Sequence, residues 1–157
     1  MTELSTCLWF ADQAEAAARH YCAAIPGSAI DAVIPRPAGV PGEEGATMMV
    51  TFTLAGAPML AFNADPPPGF TNAVSLVASC ADQAELDRVW DALIDGGQAQ
   101  ACGWLKDRFG VAWQVVPDTL PRLMTAGDAA QRGRVMAALM QMVKIDAATL
   151  EAAFHGS

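Results

Sequence analysis

Basic residues are scarce: nine Lys and Arg face seventeen Asp and Glu across 157 residues, a net charge of −8. No run of Lys or Arg reverses this balance locally, which excludes a phosphate-binding surface and makes nucleic acid an unexpected partner. Cysteine is sparse too. The four thiols, Cys7, Cys22, Cys80 and Cys102, include no Cys-x-x-Cys pair, and the first six residues carry Glu3 with no basic start to a secretory leader. A reducing, cytoplasmic setting is the expectation. There are only two histidines, His20 within a helical pattern and His155 near the last residue, which is too few and too scattered for an imidazole-based metal site. One uncharged run, 45–64, is long enough to cross a bilayer. However, Thr47, Thr51 and Thr53 punctuate it and Ala-Gly-Ala-Pro interrupts it at 55–58. It reads as a β-hairpin, and no membrane partner is expected.

What the chain has in quantity is apolar surface, 53% of residues against 17% charged. That is enough for one core, or for two small modules that share one. The element that organises it is a pentapeptide, Ala-Asp-Gln-Ala-Glu, at 11–15 and again at 81–85. Each copy follows an apolar run, 6–10 and 74–80, and each opens a helical pattern. An Asp placed to cap the first amides, with a Glu three residues on, predicts the same helix start twice. Internal similarity of this kind predicts a duplicated fold.

In chain order, a strand over 6–10 leads to a helix that Pro26 and Gly27 end, with Ala14, Ala17, Ala18, Tyr21, Cys22 and Ile25 on one stripe. A strand over 28–34, a Pro- and Gly-rich loop over 35–45, and a hairpin of strands over 47–54 and 58–63 complete the first module. A proline connector over 64–71 follows. The order then repeats: a strand over 73–80, a helix with Leu86, Val89, Trp90, Leu93 and Ile94 at helical spacing, strands near 98–102, 103–107 and 111–116, and a hairpin glycine at Gly110 that matches Gly56. The fold class is α+β, two βαβββ modules over 1–64 and 73–117 in a domain of residues 1–117. A helical extension over 118–157 is expected as helices over 119–124 and 128–143 and a third capped by Asp146. In the second, Val135, Met136, Leu139, Met140 and Val143 lie on one side.

The duplicated pattern, and above all the run from Cys102 to Pro117, resembles the vicinal oxygen chelate superfamily of glyoxalases, extradiol dioxygenases and bleomycin-resistance proteins. More closely it is similar to the PhnB-like branch, often labelled 3-demethylubiquinone-9 3-methyltransferase. The stretches at 7–10, 90–93, 134–136 and 144–146 carry the same resemblance. It implies a cup-shaped sheet, a homodimer, and in metal-using relatives a divalent ion held by His, Glu or Gln from the first and last strand of each module, acting as a Lewis acid. Carried onto this chain, those positions fall on Gln114, Ser75, Leu60 and the strand ending at Leu8, so one plausible ligand remains of four. No metal and no cofactor are expected. Methyl transfer is equally unsupported: Gly39, Gly42 and Gly45 lie between two predicted strands beside Glu43 and Glu44. A nucleotide-binding turn would instead join a strand to its helix.

The candidate ligand cavity is therefore a polar, aromatic-edged sheet face for a small organic molecule. Strand alternation puts Thr51 and Thr53 there, with Ser75 and Gln114 in the second module. Asn63 and Phe70 flank the connector at the mouth, while Trp104 and Cys102 border the last strands. Cys102 has no base placed to activate it and is expected as a buried thiol. Trp9 and Trp113 fall on the opposite parity and are expected in the core. No catalytic residue is assignable. A small-molecule-binding protein is the preferred function; the alternative is an isomerase, lyase or metal-dependent glyoxalase-type enzyme.

Overall fold

The computed structural model describes residues 1–157, which divide into two compact units, Met1–Gly69 and Phe70–Ser157. The first unit consists of β1 (Thr6–Phe10), α1 (Ala14–Ala24), β2 (Ala29–Pro35), β3 (Thr47–Leu54) and β4 (Ala57–Asn63). Its sheet runs β1-β4-β3-β2, with β1 parallel to β4 and the other pairs antiparallel. Alternation along β3 buries Val50, Phe52 and Leu54 on the face that α1 covers. Ala14, Ala17 and Ala18 on α1 are fully buried, and their small side chains let the helix backbone lie close to the sheet. The uncharged run is the expected hairpin, turned by Ala55 and Gly56, both at positive φ as a two-residue hairpin loop requires.

The second unit repeats the order: β5 (Leu76–Cys80), α2 (Gln83–Ile94), β6 (Gln98–Ala99), β7 (Trp104–Lys106) and β8 (Ala112–Pro117), in the sheet order β5-β8-β7-β6. As β1 pairs with β4, so β5 runs parallel to β8. Leu86, Val89, Trp90 and Leu93 of α2 are buried. Trp113 is buried as expected, with its indole N–H on the Asp107 carboxylate at 2.9 Å.

The two copies of the pentapeptide do different things. At α2 the Asp82 carboxylate accepts the Glu85 amide at 2.8 Å, and Glu85 reaches back to the Ala81 amide at 2.7 Å. At α1 Asp12 caps nothing: Gln13 sits at the N-cap and makes no side-chain bond. The Ala14 amide instead donates to Asn63 Oδ1 at 2.9 Å. The register explains the exchange, because β1 pairs Phe10 with Asn63 and brings the end of β4 beside the start of the helix. Glu15, freed from capping, bonds Arg19 at 2.7 Å and the Thr47 hydroxyl at 2.6 Å.

The extension forms α3 (Thr119–Ala126), α4 (Ala129–Leu139) and α5 (Ala147–His155). Asp128 and Gln131 make a reciprocal capping box at α4, and Asp146 caps α5 through the Thr149 amide. The helix expected over 128–143 stops at Leu139: the amides of Gln141 and Met142 bond only three residues back, to the carbonyls of Ala138 and Leu139 at 3.1 and 3.0 Å. The carbonyls of Met142 and Val143, now outside the helix, accept the amides of Cys102 and Gly103, both at 2.8 Å. The expected stripe is split accordingly: Val135 and Leu139 are buried, while Met136, Met140 and Val143 are exposed. No helix is long and apolar enough to cross a membrane.

Candidate functional site

Each sheet has one face under its helix and one open face. On the open face of the second unit, alternation along β8 sets Gln114 and Val116 outward between the buried Trp113, Val115 and Pro117. The register places Gln114 opposite Trp104 on one side and Val77 on the other. The Gln114 amide donates to the Ser75 hydroxyl at 3.0 Å, so these two predicted residues meet, with Trp104 on the neighbouring strand. Val77 is 56% exposed, and Lys106 shares the Trp104 side of β7 by alternation.

The other predictions in this unit are placed differently. Cys102 is half-exposed and lies in the turn between β6 and β7, not on a strand, with a φ of 61°. The expected strands over 98–102 and 103–107 shrink to two and three residues, because Cys102 and Gly103 turn at positive φ and give their amides to the extension instead of a neighbouring strand. Phe70 lies before β5 beside the hairpin turn, and a side chain at Gly110 would come within 4.0 Å of its ring.

The open face of the first unit presents Met49, Thr51 and Thr53 from β3, all half-buried, whereas the register shift at Met48 turns Thr47, expected on the same face, to Glu15 of α1. Thr53 donates to Asp31 at 3.1 Å, a residue at the bulge where β2 slips register against β3. Trp9 is not in the core. It is 36% exposed and stacks on Phe62 at 5.3 Å between ring centroids, and its indole N–H donates to the Ala64 carbonyl at 2.7 Å. The residues of β1 from Cys7 to Phe10 are all apolar, so parity there was invisible in the sequence and only the pairing with β4 reveals it. Asn63 is the opposite case. It is buried, and its two side-chain polar atoms serve Ala14 and the Thr47 carbonyl, which makes it a brace for α1 and β3.

A groove of about 630 Å³ lies elsewhere in this unit, between the start of α1 and the loop after β2, lined among others by Asp12, Glu15, Arg19, Arg36, Glu43 and Asp65. Sequence reasoning missed it because it depends on the fold of the loop. Arg36 organises that loop by donating to the carbonyls of Pro41 and Asn63 at 2.7 and 3.1 Å. The Thr47 hydroxyl, followed by Arg19, holds the Glu15 carboxyl below its ordinary value. Charged walls in both signs make this groove unlike the open faces, whose polar groups are mostly neutral hydroxyls and an amide.

As to a divalent ion, no three His, Cys, Asp or Glu side chains gather where they could hold one. Leu60 stands on the open face of β4, and Gln114 has its amide engaged by Ser75. Neither His is near these positions in sequence. The donor set therefore does not fit the ion that the superfamily uses.

Residues 2–116 match the family model described as 3-demethylubiquinone-9 3-methyltransferase. Among solved structures, the chain is similar to a PhnB protein from Bacillus cereus titled with that same activity, at 29% identity and a TM-score of 0.68, covering 74% of this chain and 99% of that one. It is also similar in fold to the fosfomycin resistance protein FosX of Listeria monocytogenes, at 13% identity and a TM-score of 0.51, covering 77% and 96%. A possible glyoxalase from Bacillus cereus gives 11% identity and a TM-score of 0.50, covering 72% and 96%. No curated protein matches. With more than half of its length matched by the family model and the βαβββ order present twice, the chain belongs to the 3-demethylubiquinone-9 3-methyltransferase family, the PhnB-like branch of the vicinal oxygen chelate superfamily.

Proposed function

We propose that this protein binds a small, largely apolar organic molecule on the open sheet faces, without the superfamily's metal ion and with no reaction assignable to its residues. The observation that carries the reading is the pairing of Gln114 with Ser75, opposite Trp104 and Val77. It is a neutral hydrogen-bonding pair framed by apolar side chains. Neither member titrates near neutral pH, so the pair can orient a guest but cannot serve as a general base. With one amide hydrogen spent on Ser75, the Gln114 carbonyl oxygen, its second amide hydrogen and the Ser75 hydroxyl proton are the groups offered to a guest. On the first unit, Thr51 and Thr53 supply hydroxyls in the same manner, and the Trp9–Phe62 stack supplies an aromatic wall.

Methyl transfer gains no support from the fold. Gly39, Gly42 and Gly45 lie in the loop between β2 and β3, whereas a bound nucleoside's charged groups are ordinarily met at a strand-to-helix turn of a parallel sheet. A homodimer in the cytoplasm accompanies the proposal, with residues 118–157 an extension to a glyoxalase-like domain of residues 1–117. The test is a fluorescence titration with Nile red, an uncharged apolar dye. Saturable binding is expected, weakened about fivefold in Gln114→Leu, the loss of one hydrogen bond worth roughly 1 kcal/mol, and weakened further in Trp104→Ala. Binding indifferent to both substitutions contradicts the assignment.

A further inference from the structure

The extension does more than cover the second unit. After α4 ends, residues 142–147 run across the turn between β6 and β7, and the contacts fall at one place. The amides of Cys102 and Gly103 donate to the carbonyls of Met142 and Val143, while the Gly103 carbonyl accepts the Val115 amide, all at 2.8 Å. Gly103 is thus bonded on one side to the extension and on the other to β8, directly before Trp104. A side chain there has no room: a Cβ would lie 2.6 Å from Ile145 Cδ1 and 2.9 Å from the Val115 carbonyl.

Two further anchors hold residues 142–147 from the α2 side. The Gln83 side chain donates to the Ile145 carbonyl at 3.1 Å and accepts the Ala147 amide at 2.9 Å, which is one amide bracketing the start of α5. Lys144 pairs with Asp87 at 3.0 Å. Gln83 is the central residue of the second pentapeptide. Its counterpart Gln13 makes no such contact, only occupying the N-cap of α1. The family match ends at residue 116, so residues 142–147 reach the matched part of the chain from beyond it.

We propose that residues 142–147 form a latch that holds the Cys102–Gly103 turn, and through it sets Trp104 in register with Gln114 on the open face of the second unit. Gln83 and Lys144 are its positioning residues. They touch no guest and act on binding only through the turn. The inference rests on the reading of that face as a binding site. It adds to that reading a handle: whatever loosens the latch lowers affinity at a face it does not touch.

The experiment uses the full chain. Amide hydrogen exchange and Nile red titration are measured on the unmodified protein, Lys144→Ala, Lys144→Arg, and Gln83→Ala with Lys144→Ala. The latch predicts that the Cys102 and Gly103 amides exchange about tenfold faster in the double variant, as local opening does, while β3 amides keep their rates. Dye affinity falls in parallel, and Lys144→Arg retains both. Unchanged exchange at the two amides overturns the latch. Faster exchange with unchanged dye affinity overturns its influence on the face. If the double variant exchanges faster throughout the second unit, Lys144→Ala, which keeps both Gln83 bonds, decides by the same two readouts. Failure of the unmodified protein to bind the dye contradicts the binding reading instead, and the two amides still decide whether the latch exists.

Discussion

Substituting Asn63 tests how the first unit is braced, because sequence and structure give opposite answers there. By pattern, Asp12 caps α1; in the structure the Ala14 amide donates to Asn63 Oδ1, and the Asn63 amide donates to the Thr47 carbonyl at 3.0 Å. Both bonds are at least partly buried, so Asn63→Ala leaves a donor and an acceptor with reduced access to water. Losing a helix cap costs about 1 kcal/mol, and losing the second bond costs about 1 kcal/mol more. The sum, about 2 kcal/mol, corresponds to a fall of about 1 M in the urea midpoint for a slope near 2 kcal/mol/M. Asp12→Ala removes only a charge near the helix start, worth a few tenths of a kcal/mol. Equilibrium urea unfolding, followed through the Trp9 environment in a variant lacking the other tryptophans, gives both numbers. An Asp12→Ala loss equal to or larger than that of Asn63→Ala refutes the assignment of the cap.

Three further outcomes are expected. Gly103→Ala, strained by a φ of +79° and crowded by Val115 and Ile145, lowers stability by about 2 to 3 kcal/mol. Gly27→Ala, at positive φ but with nothing within 4 Å, costs about 1 kcal/mol in the same thermal or urea assay. Lys144 and Gln83 hold the Asp87 carboxyl below its ordinary 3.8, and Thr149 does the same for Asp146. Depressed carboxyls contribute stability above that value and lose it as pH falls through the lower folded value. Melting of the unmodified protein should therefore decline more steeply below 3.8 than that of Asp87→Asn, and equal slopes would contradict the pairing. Burial pushes the Cys80 thiol to about 11, so about one molecule in a thousand is thiolate at pH 8. Ellman's reagent should modify exposed Cys7 well before Cys80 in the native state, and equal rates would contradict the burial.

The duplication was legible in the residues because it is written in local signals: two apolar runs, two helices opened by the same pentapeptide, two hairpins turned at Gly56 and Gly110. Strand alternation also placed Thr51 and Gln114 on open faces, since threonines alternate with apolar residues over 50–54 of β3 and Gln114 stands alone as the polar residue of β8. Where that contrast vanishes, the reading failed. Trp9 sits among apolar neighbours, and its exposure is decided by a partner strand about fifty residues away. Asn63 looked like a polar group at a rim, but its role is set by the parallel pairing with β1, which no local pattern encodes. The end of α4 at Leu139 is another departure: the apolar spacing continues to Val143, but the chain turns through three-residue bonds at Gln141 and Met142 and carries Met142 and Val143 to the distant Cys102–Gly103 turn. The groove around Arg36 was invisible for the same reason, being shaped by a loop whose prolines and glycines announce only that it is a loop.

The central claim, that the family's sheet faces persist here without an ion-gripping donor set, is tested most directly by metal stoichiometry. Protein dialysed against manganese, iron, cobalt, nickel or zinc and then freed of loose ions is analysed for bound metal, alongside Gln114→Ala. The account predicts substoichiometric uptake that does not depend on Gln114; one ion per chain, lost in Gln114→Ala, would contradict it.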